Sequence, residues 1–171
     1  MPDVQQTETP GTDEFRKAMG LFTTGVCIVA VDDAKHGLAA MTVNSFVSVS
    51  LDPMLVCWSL HNDSTQFTRY TQAETFSVSV LAQEQGALAR QYATRGGALT
   101  RREDFVESAG GLPVVSGSIG HFECRKWSLN PAGDHTMILG EVQGIGHARG
   151  ADRDLAPLTF FKGGFCSITP R

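Results

Sequence analysis

The chain has 171 residues, of which 42% are hydrophobic and 19% charged. This is enough apolar material for one folded domain and too much for a disordered chain. Fourteen Lys and Arg against eighteen Asp and Glu leave a net charge of −4, so no basic excess exists to follow a nucleic-acid backbone. A P-loop, an H-E-x-x-H pair and a G-x-S-x-G elbow are all absent. Gly144 and Gly146 begin a dinucleotide fingerprint, but Arg149 stands where its third glycine belongs.

Residues 1–11 are polar and acidic and read as a disordered leader to a single domain over 12–171. They lack the basic and apolar regions of a secretory signal, and no apolar run approaches the roughly 18 residues of a membrane span. Thr12 is expected to cap a helix carrying Phe15, Ala18, Met19 and Phe22 at helical spacing, with Gly25 ending it. Val26 to Val31 reads as a buried strand, followed by a turn at Asp32-Asp33 and His36-Gly37.

Thr42 to Leu51 alternates as one strand, with Val43, Val47, Val49 and Leu51 on one face, interrupted only by Ser45, and Thr42, Asn44, Ser48 and Ser50 on the other, interrupted only by Phe46. Asp52-Pro53 breaks it, and Met54 to Leu60 follows as a strand. Ser64 is expected to cap a short helix bearing Phe67 and Tyr70. Thr75–Leu81 reads as a strand, Gln83–Tyr92 as a helix and 93–118 as irregular. Ile119–Leu129 and Met137–Ala148 are strands around a turn at Asn130-Pro131 and Gly133, with a bend or bulge expected from the glycines at 140, 144 and 146. Leu158–Phe161 and Phe165–Ile168 close the chain. About eight short strands with two or three short helices suggest an antiparallel barrel with helical decoration.

The four cysteines, at 27, 57, 124 and 166, form no C-x-x-C pair and read as reduced, packed thiols of a cytoplasmic protein. Cys57 and His61 share a strand face but bring no further ligand, and His121 and Cys124 fall on opposite faces, so no metal site is expected. Thr42, Asn44, Ser48 and Ser50 are short, uncharged hydrogen-bonding groups. They suit the edge of a neutral polar heterocycle, and equally an ordinary strand surface or subunit interface. Asn62-Asp63-Ser64-Thr65 offers hydroxyls and backbone N–H groups to a phosphate, or a plain helix cap. Gly133-Asp134-His135 sets a histidine beside an aspartate, for a ligand or for a capped turn.

Taken together, the run from Gly37 to Pro53 (GLAAMTVNSFVSVSLDP), Ser64-Thr65, Asp104-Phe105, Gly111-Leu112-Pro113-Val114, Phe122-Glu123-Cys124, Gly133-Asp134-His135, Gly140-Glu141-Val142 and Pro157-Leu158 through Phe165 resemble the short-chain flavin reductases. These are reductase components of two-component flavin monooxygenases, and the resemblance covers about residues 14–168. It implies a mainly β, FMN-binding split β-barrel of antiparallel, Greek-key type with a few short helices. It also implies a homodimer that reduces FMN or FAD with NADH or NADPH by direct hydride transfer and hands reduced flavin to a monooxygenase.

By the same resemblance Thr42, Val43, Asn44 and Ser45 contact the flavin ring and ribityl chain, with Ser59 near that chain. Ser64 and Thr65 take the phosphate, His135 seats the nicotinamide, and Phe165 lies near the flavin. Lys162 stands where family members often have arginine, and Arg90 or Arg95 are further phosphate candidates. A non-catalytic flavin-storage module, and a split-barrel oxidase acting on another small heterocycle, remain the alternative readings.

Overall fold

A computed structural model describes residues 9–94, 100–147 and 156–168. Residues 1–8 of the expected leader, Arg95 and Ala148 lie outside the described residues. Helix α1 spans Thr12–Met19. Its N-cap is Gly11, not Thr12: the Glu14 carboxylate accepts the Gly11 N–H at 3.3 Å. It ends at Gly20, five residues before the expected stop, and none of its residues is buried.

Among the described residues, twelve strands follow in chain order. They are β1 (Thr24–Gly25), β2 (Cys27–Asp33), β3 (Gly37–Val43), β4 (Val47–Leu51), β5 (Met54–His61), β6 (Thr75–Val80), β7 (Phe105–Glu107), β8 (Pro113–Val115), β9 (Gly120–Ala132), β10 (His135–His147), β11 (Thr159–Phe161) and β12 (Gly164–Cys166). Helix α2 (Phe67–Gln72) separates β5 from β6, and α3 (Gly86–Tyr92) lies between β6 and β7.

Seven strands form one antiparallel sheet in the order β3-β2-β6-β9-β10-β5-β4. Its two edge strands, β3 and β4, are consecutive in the chain and joined only by Asn44, Ser45 and Phe46. Laid flat, seven strands would set these edges about 29 Å apart. The four steps from Val43 to Val47 reach about 14 Å at most. The sheet is therefore rolled until its edges approach, with a split at residues 44–46. A small sheet of β1-β11-β12 and the β7-β8 hairpin complete the fold.

Strand β2 explains the roll. Its residues alternate between two buried clusters: Val29 and Val31 pack with Trp58, Phe76, Val78 and Ile138, while Ile28 and Ala30 pack with Leu81, Ala89, Tyr92 and Leu158. Burial on both faces is why 26–31 reads as an unbroken apolar run. Tyr70 of α2 donates its hydroxyl to the Val29 carbonyl at 3.2 Å, and Arg69 Nη2 donates to the carbonyls of His36, Gly37 and Leu38 at the β2–β3 turn.

Several expectations are corrected. The single strand over 42–51 is two strands broken at 44–46. The expected apolar face does not hold together: Val43 is buried, but Val47, Val49 and Leu51 are 53%, 52% and 89% exposed. Phe46 turns in instead and meets Phe122, with ring centroids 5.4 Å apart. The region 93–118 is not wholly irregular, since it holds β7, β8 and a short 3-10 turn at Arg102–Asp104. Strand β9 runs through Asn130-Pro131 to Ala132, so the turn is confined to Gly133-Asp134, with Gly133 at φ +64°. Pro131 is tolerated because the pairing of β9 with β6 stops at Arg125, leaving its far end with a neighbour on one side only.

The bend expected from the glycines is present: the β9–β10 register shifts at Leu139/Gly140 and again at Val142/Gly144. All four cysteines are unpaired, and three are buried.

Candidate functional site

A cleft of about 460 Å³ opens between β3, the end of β5 and α3. Its walls are Met41 and Thr42 of β3, Leu60 and His61 of β5, the turn residues Asp63 to Gln66, and Tyr92, Ala93 and Thr94 at the end of α3.

Three predicted residues meet here: Thr42, Ser64 and Thr65. Thr42 Oγ1 donates to the Ala89 carbonyl at 2.8 Å, tying β3 to α3. Its proton is committed, so the oxygen offers a ligand only lone pairs. Ser64 does not cap a helix. Its hydroxyl accepts the Gln66 N–H at 3.3 Å and its carbonyl accepts the Phe67 N–H at 2.9 Å, forming the turn that precedes α2, whose N-cap is Gln66. The hydroxyls of Ser64 and Thr65 are thus presented by a turn and not by a helix end.

Asn44, Ser45 and Ser59 lie beside the cleft at the split. Ser45 Oγ accepts the Ser59 N–H at 3.0 Å and donates to the Ser59 carbonyl at 3.5 Å. In the register that pairs Val47 with Cys57, Ser45 falls opposite Ser59. The serine side chain therefore continues the ladder where the backbone of 44–46 leaves it, and this anchors the neighbouring Asn44, which is exposed. Val43, the last residue of β3, is buried in the core and paired with Cys27, so its side chain is a packing element.

His135 opens β10 directly across from His61, and their ring centroids are 5.0 Å apart, edge to face. Of the two, His61 lines the cleft. Asp134 Oδ1 lies 2.7 Å from His135 Nδ1, and Oδ2 lies 3.8 Å from His61 Nε2. The hydrogen bond from His135, helped by the charges of His135 and His61, holds the Asp134 carboxyl below its usual range.

Phe165 is not in the cleft wall. It packs against Phe160 behind α3, with the Arg90 guanidinium 5.6 Å from its ring centroid. Lys162 sits in a left-handed turn at φ 48° with its Nζ 5.2 Å from the Phe161 ring.

Sequence reasoning missed Met41, Leu60, His61, Gln66, Tyr92 and Thr94. His61 had a usable signal, since it immediately precedes the Asn62–Thr65 turn. Tyr92 had none, because its place depends on where α3 docks. Its hydroxyl donates to Asp104 Oδ2 at 2.7 Å and accepts the Arg101 N–H at 3.2 Å, which pins the α3 wall. Burial, with the Asp104 hydrogen bond, pushes the Tyr92 phenol up to about 12, so it stays a neutral donor.

The cleft, with uncharged hydrogen-bonding groups on three walls, the Asp63 carboxylate and the His61 imidazole, has the chemistry of a site for a polar heterocycle. A model of the flavin reductase like domain matches residues 19–169. The chain belongs to the flavin reductase family.

Among relatives of this flavin reductase chain is the FMN reductase (NADH) SmoA of Agrobacterium fabrum. It is 42% identical over 88% of this chain and 83% of its own length. Another is HsaB of Rhodococcus jostii, the reductase subunit of a flavin-dependent monooxygenase, 31% identical over 91% of this chain and 77% of its own. Among solved structures, the NADH:FAD oxidoreductase SgcE6 of Streptomyces globisporus, in complex with NAD and FAD fragments, has a TM-score of 0.83. It is 34% identical and covers 92% of this chain and 93% of that one. The mainly β, antiparallel fold and the flavin reductase class expected from the sequence both stand.

Proposed function

We propose that this chain binds flavin in the cleft between β3, β5 and α3 and reduces it with NADH. The observation that carries the reading is the convergence of Thr42, Ser64 and Thr65 on one cleft, beside the split where Asn44 is held out by Ser45. A volume of about 460 Å³ lies within the roughly 300–1,000 Å³ typical of small-molecule sites. The donor set also fits. Thr42 supplies an acceptor, Asn44 an amide, and Ser64 and Thr65 hydroxyls for a phosphate. In addition Gln66 Oε1 is a buried acceptor in the wall without a partner of its own.

When bound, flavin would supply the hydride-accepting chemistry opposite the nicotinamide. The protein residues orient and enclose. The Asn44 amide donates to the ring edge where electron density rises on reduction, and Thr42 accepts from a ring N–H. Val43 backs that edge from the core, Ser45 and Ser59 brace the split beside the ribityl chain, and Phe165 supports α3 from behind. His135 seats the nicotinamide. No residue of the cleft has to act as nucleophile, and position is the main contribution asked of the protein. Both FMN and FAD are accepted, and NADH is preferred to NADPH, in line with the printed names of the relatives.

The working unit is a homodimer. Val47, Val49, Leu51 and Met54 of the β4–β5 edge, and Phe15 and Phe22 at α1, are all at least half exposed, an apolar surface of the kind a second subunit covers. Reduced flavin passes to a separate monooxygenase, as the reductase-component names of relatives suggest. No described helix is long and apolar enough to cross a membrane, and the four unpaired cysteines suit the reducing cytoplasm.

The test is loss of nicotinamide absorbance with purified protein. NADH consumption that starts only on adding FMN, FAD or riboflavin is the expected result. No consumption with any of the three overturns the reading. Flavin that binds tightly but stays oxidised with NADH under anaerobic conditions points to a storage protein.

A further inference from the structure

We propose that His61 is a positioning residue for the nicotinamide substrate: its imidazole shares the Asp134 carboxylate with His135 and so fixes the ring of His135 at the rim of the cleft. The inference rests on the reading of the cleft as a flavin and nicotinamide site.

The two histidines are brought together by register. His61 ends β5, His135 begins β10, and they are direct partners across that ladder. The strand ends are also stitched. Asn62 N–H donates to the Asp134 carbonyl at 2.9 Å, Asn62 Nδ2 donates to the Gly133 carbonyl at 3.3 Å, and Thr136 Oγ1 donates to Asn62 Oδ1 at 2.9 Å. These bonds hold the backbone, while the Asp134 side chain is 79% exposed and is oriented by the two imidazoles and its own backbone N–H.

The tautomers follow from the partners. His61 Nδ1 accepts the Asp63 N–H at 3.1 Å, so a neutral His61 carries its proton on Nε2, the nitrogen that faces Asp134 Oδ2 at 3.8 Å. At 3.8 Å this is an electrostatic contact and not a hydrogen bond, so the Nε2–H attracts the carboxylate while the ring lines the cleft. Drawing Oδ2 toward His61 leaves Oδ1 aimed at His135 Nδ1, 2.7 Å away. His135 therefore carries its proton on Nδ1 and keeps the Nε2 lone pair as an acceptor. A primary amide N–H, such as that of the nicotinamide carboxamide, is the matching donor. The edge-to-face contact of the two rings, at 76°, further restricts how His135 turns.

Replacing His61 removes one of the two restraints on the carboxylate and the ring contact, while the flavin-facing residues remain. His61→Ala is expected to raise KM for NADH about three- to tenfold, the scale of one lost edge-to-face contact. Because His61 also lines the cleft, the rise in flavin KM is expected to be smaller than that in NADH KM, and kcat at saturating NADH and flavin changes less than about threefold. His61→Gln places an amide N–H near the position of Nε2 and is expected to restore most of the NADH affinity, an effect that mere filling of the cleft wall would not produce.

A second measurement does not depend on turnover. Nitrogen-15 imidazole shifts of His135 should report one tautomer, protonated on Nδ1, in the wild type and a mixture of tautomers in His61→Ala. The proposal is overturned by an unchanged NADH KM in His61→Ala, by a rise in flavin KM instead, by failure of Gln to rescue, or by His135 shifts that do not respond. A wild-type protein that fails to oxidise NADH with any flavin, while the His135 shifts do respond to His61→Ala, overturns the functional reading and leaves the histidine coupling standing.

Discussion

The bond from Thr42 to Ala89 holds two walls of the cleft together, and Thr42→Val tests what it does. Valine keeps the branched shape and volume, so no cavity opens. The hydroxyl is lost, and with it the 2.8 Å bond between β3 and α3. The Ala89 carbonyl is not orphaned, because it also accepts the Ala93 N–H at 3.1 Å. The cost in stability should therefore be that of one ordinary hydrogen bond, about 1 kcal/mol, and not the larger penalty of a buried unpaired carbonyl. For a chain of this size that lowers Tm by about 2–4 °C. Flavin affinity should suffer more. The variant loses both the Thr42 oxygen as an acceptor in the cleft and the tie that sets the α3 wall, and Kd for FMN should rise about five- to tenfold. Thr42→Ser retains the hydroxyl and should stay within about twofold of the wild type. Thermal unfolding and quenching of FMN fluorescence on titration measure the two effects. If Thr42→Val melts within about 1 °C of the wild type and binds FMN equally well, the hydroxyl neither ties the walls nor faces the ligand.

Two further outcomes bear on the fold that carries the site. A Cβ at Gly140 would overlap the buried Phe76 ring and lie 3.0 Å from Cys124 Cβ, so Gly140→Ala should cost about 1–3 kcal/mol, and an unchanged melting curve would show that the core yields more easily than its packing implies. Asp33 accepts the N–H groups of His36 and Lys35 at 2.7 and 2.8 Å, and its carboxyl is held below the ordinary 3.8 chiefly by the His36 backbone bond. A carboxyl lowered by folding contributes stability above its ordinary pKa and loses it as pH falls through the folded value. Asp33→Asn should therefore lower Tm at neutral pH by an amount that fades below about pH 4, whereas a deficit constant with pH would exclude the carboxylate as its cause.

Local pattern carried much of this structure. The apolar run at 26–31 and the strand beginning at Met54 both appear nearly where the alternation predicts, because their periodicity follows directly from burial. The break at 44–46 left only a faint local mark. Ser45 falls on the apolar face and Phe46 on the polar one, and the requirement that β3 and β4 lie at opposite edges of one sheet turns that interruption into a departure from the ladder. The same applies to β7 and β8, three-residue strands too short to show a period.

In the site, Thr42, Ser64 and Thr65 were legible as small polar groups, and all three line the same cleft. Phe165 lies behind α3 instead of in the cleft wall, and its position was set by packing with Phe160 that no local signal records. His61 and Tyr92 joined the site through register and helix docking, both long-range effects.

The three-residue link between the sheet's edges also leaves room for divergence. Every ladder in the rolled sheet is anchored elsewhere, so a residue added between Val43 and Val47 lengthens the link without moving any strand pair. Each addition extends its reach by about 3.3 Å, roughly the thickness of an aromatic ring. A descendant of this chain could thereby remodel the split beside its cleft, giving up the Ser45–Ser59 brace while keeping the same core.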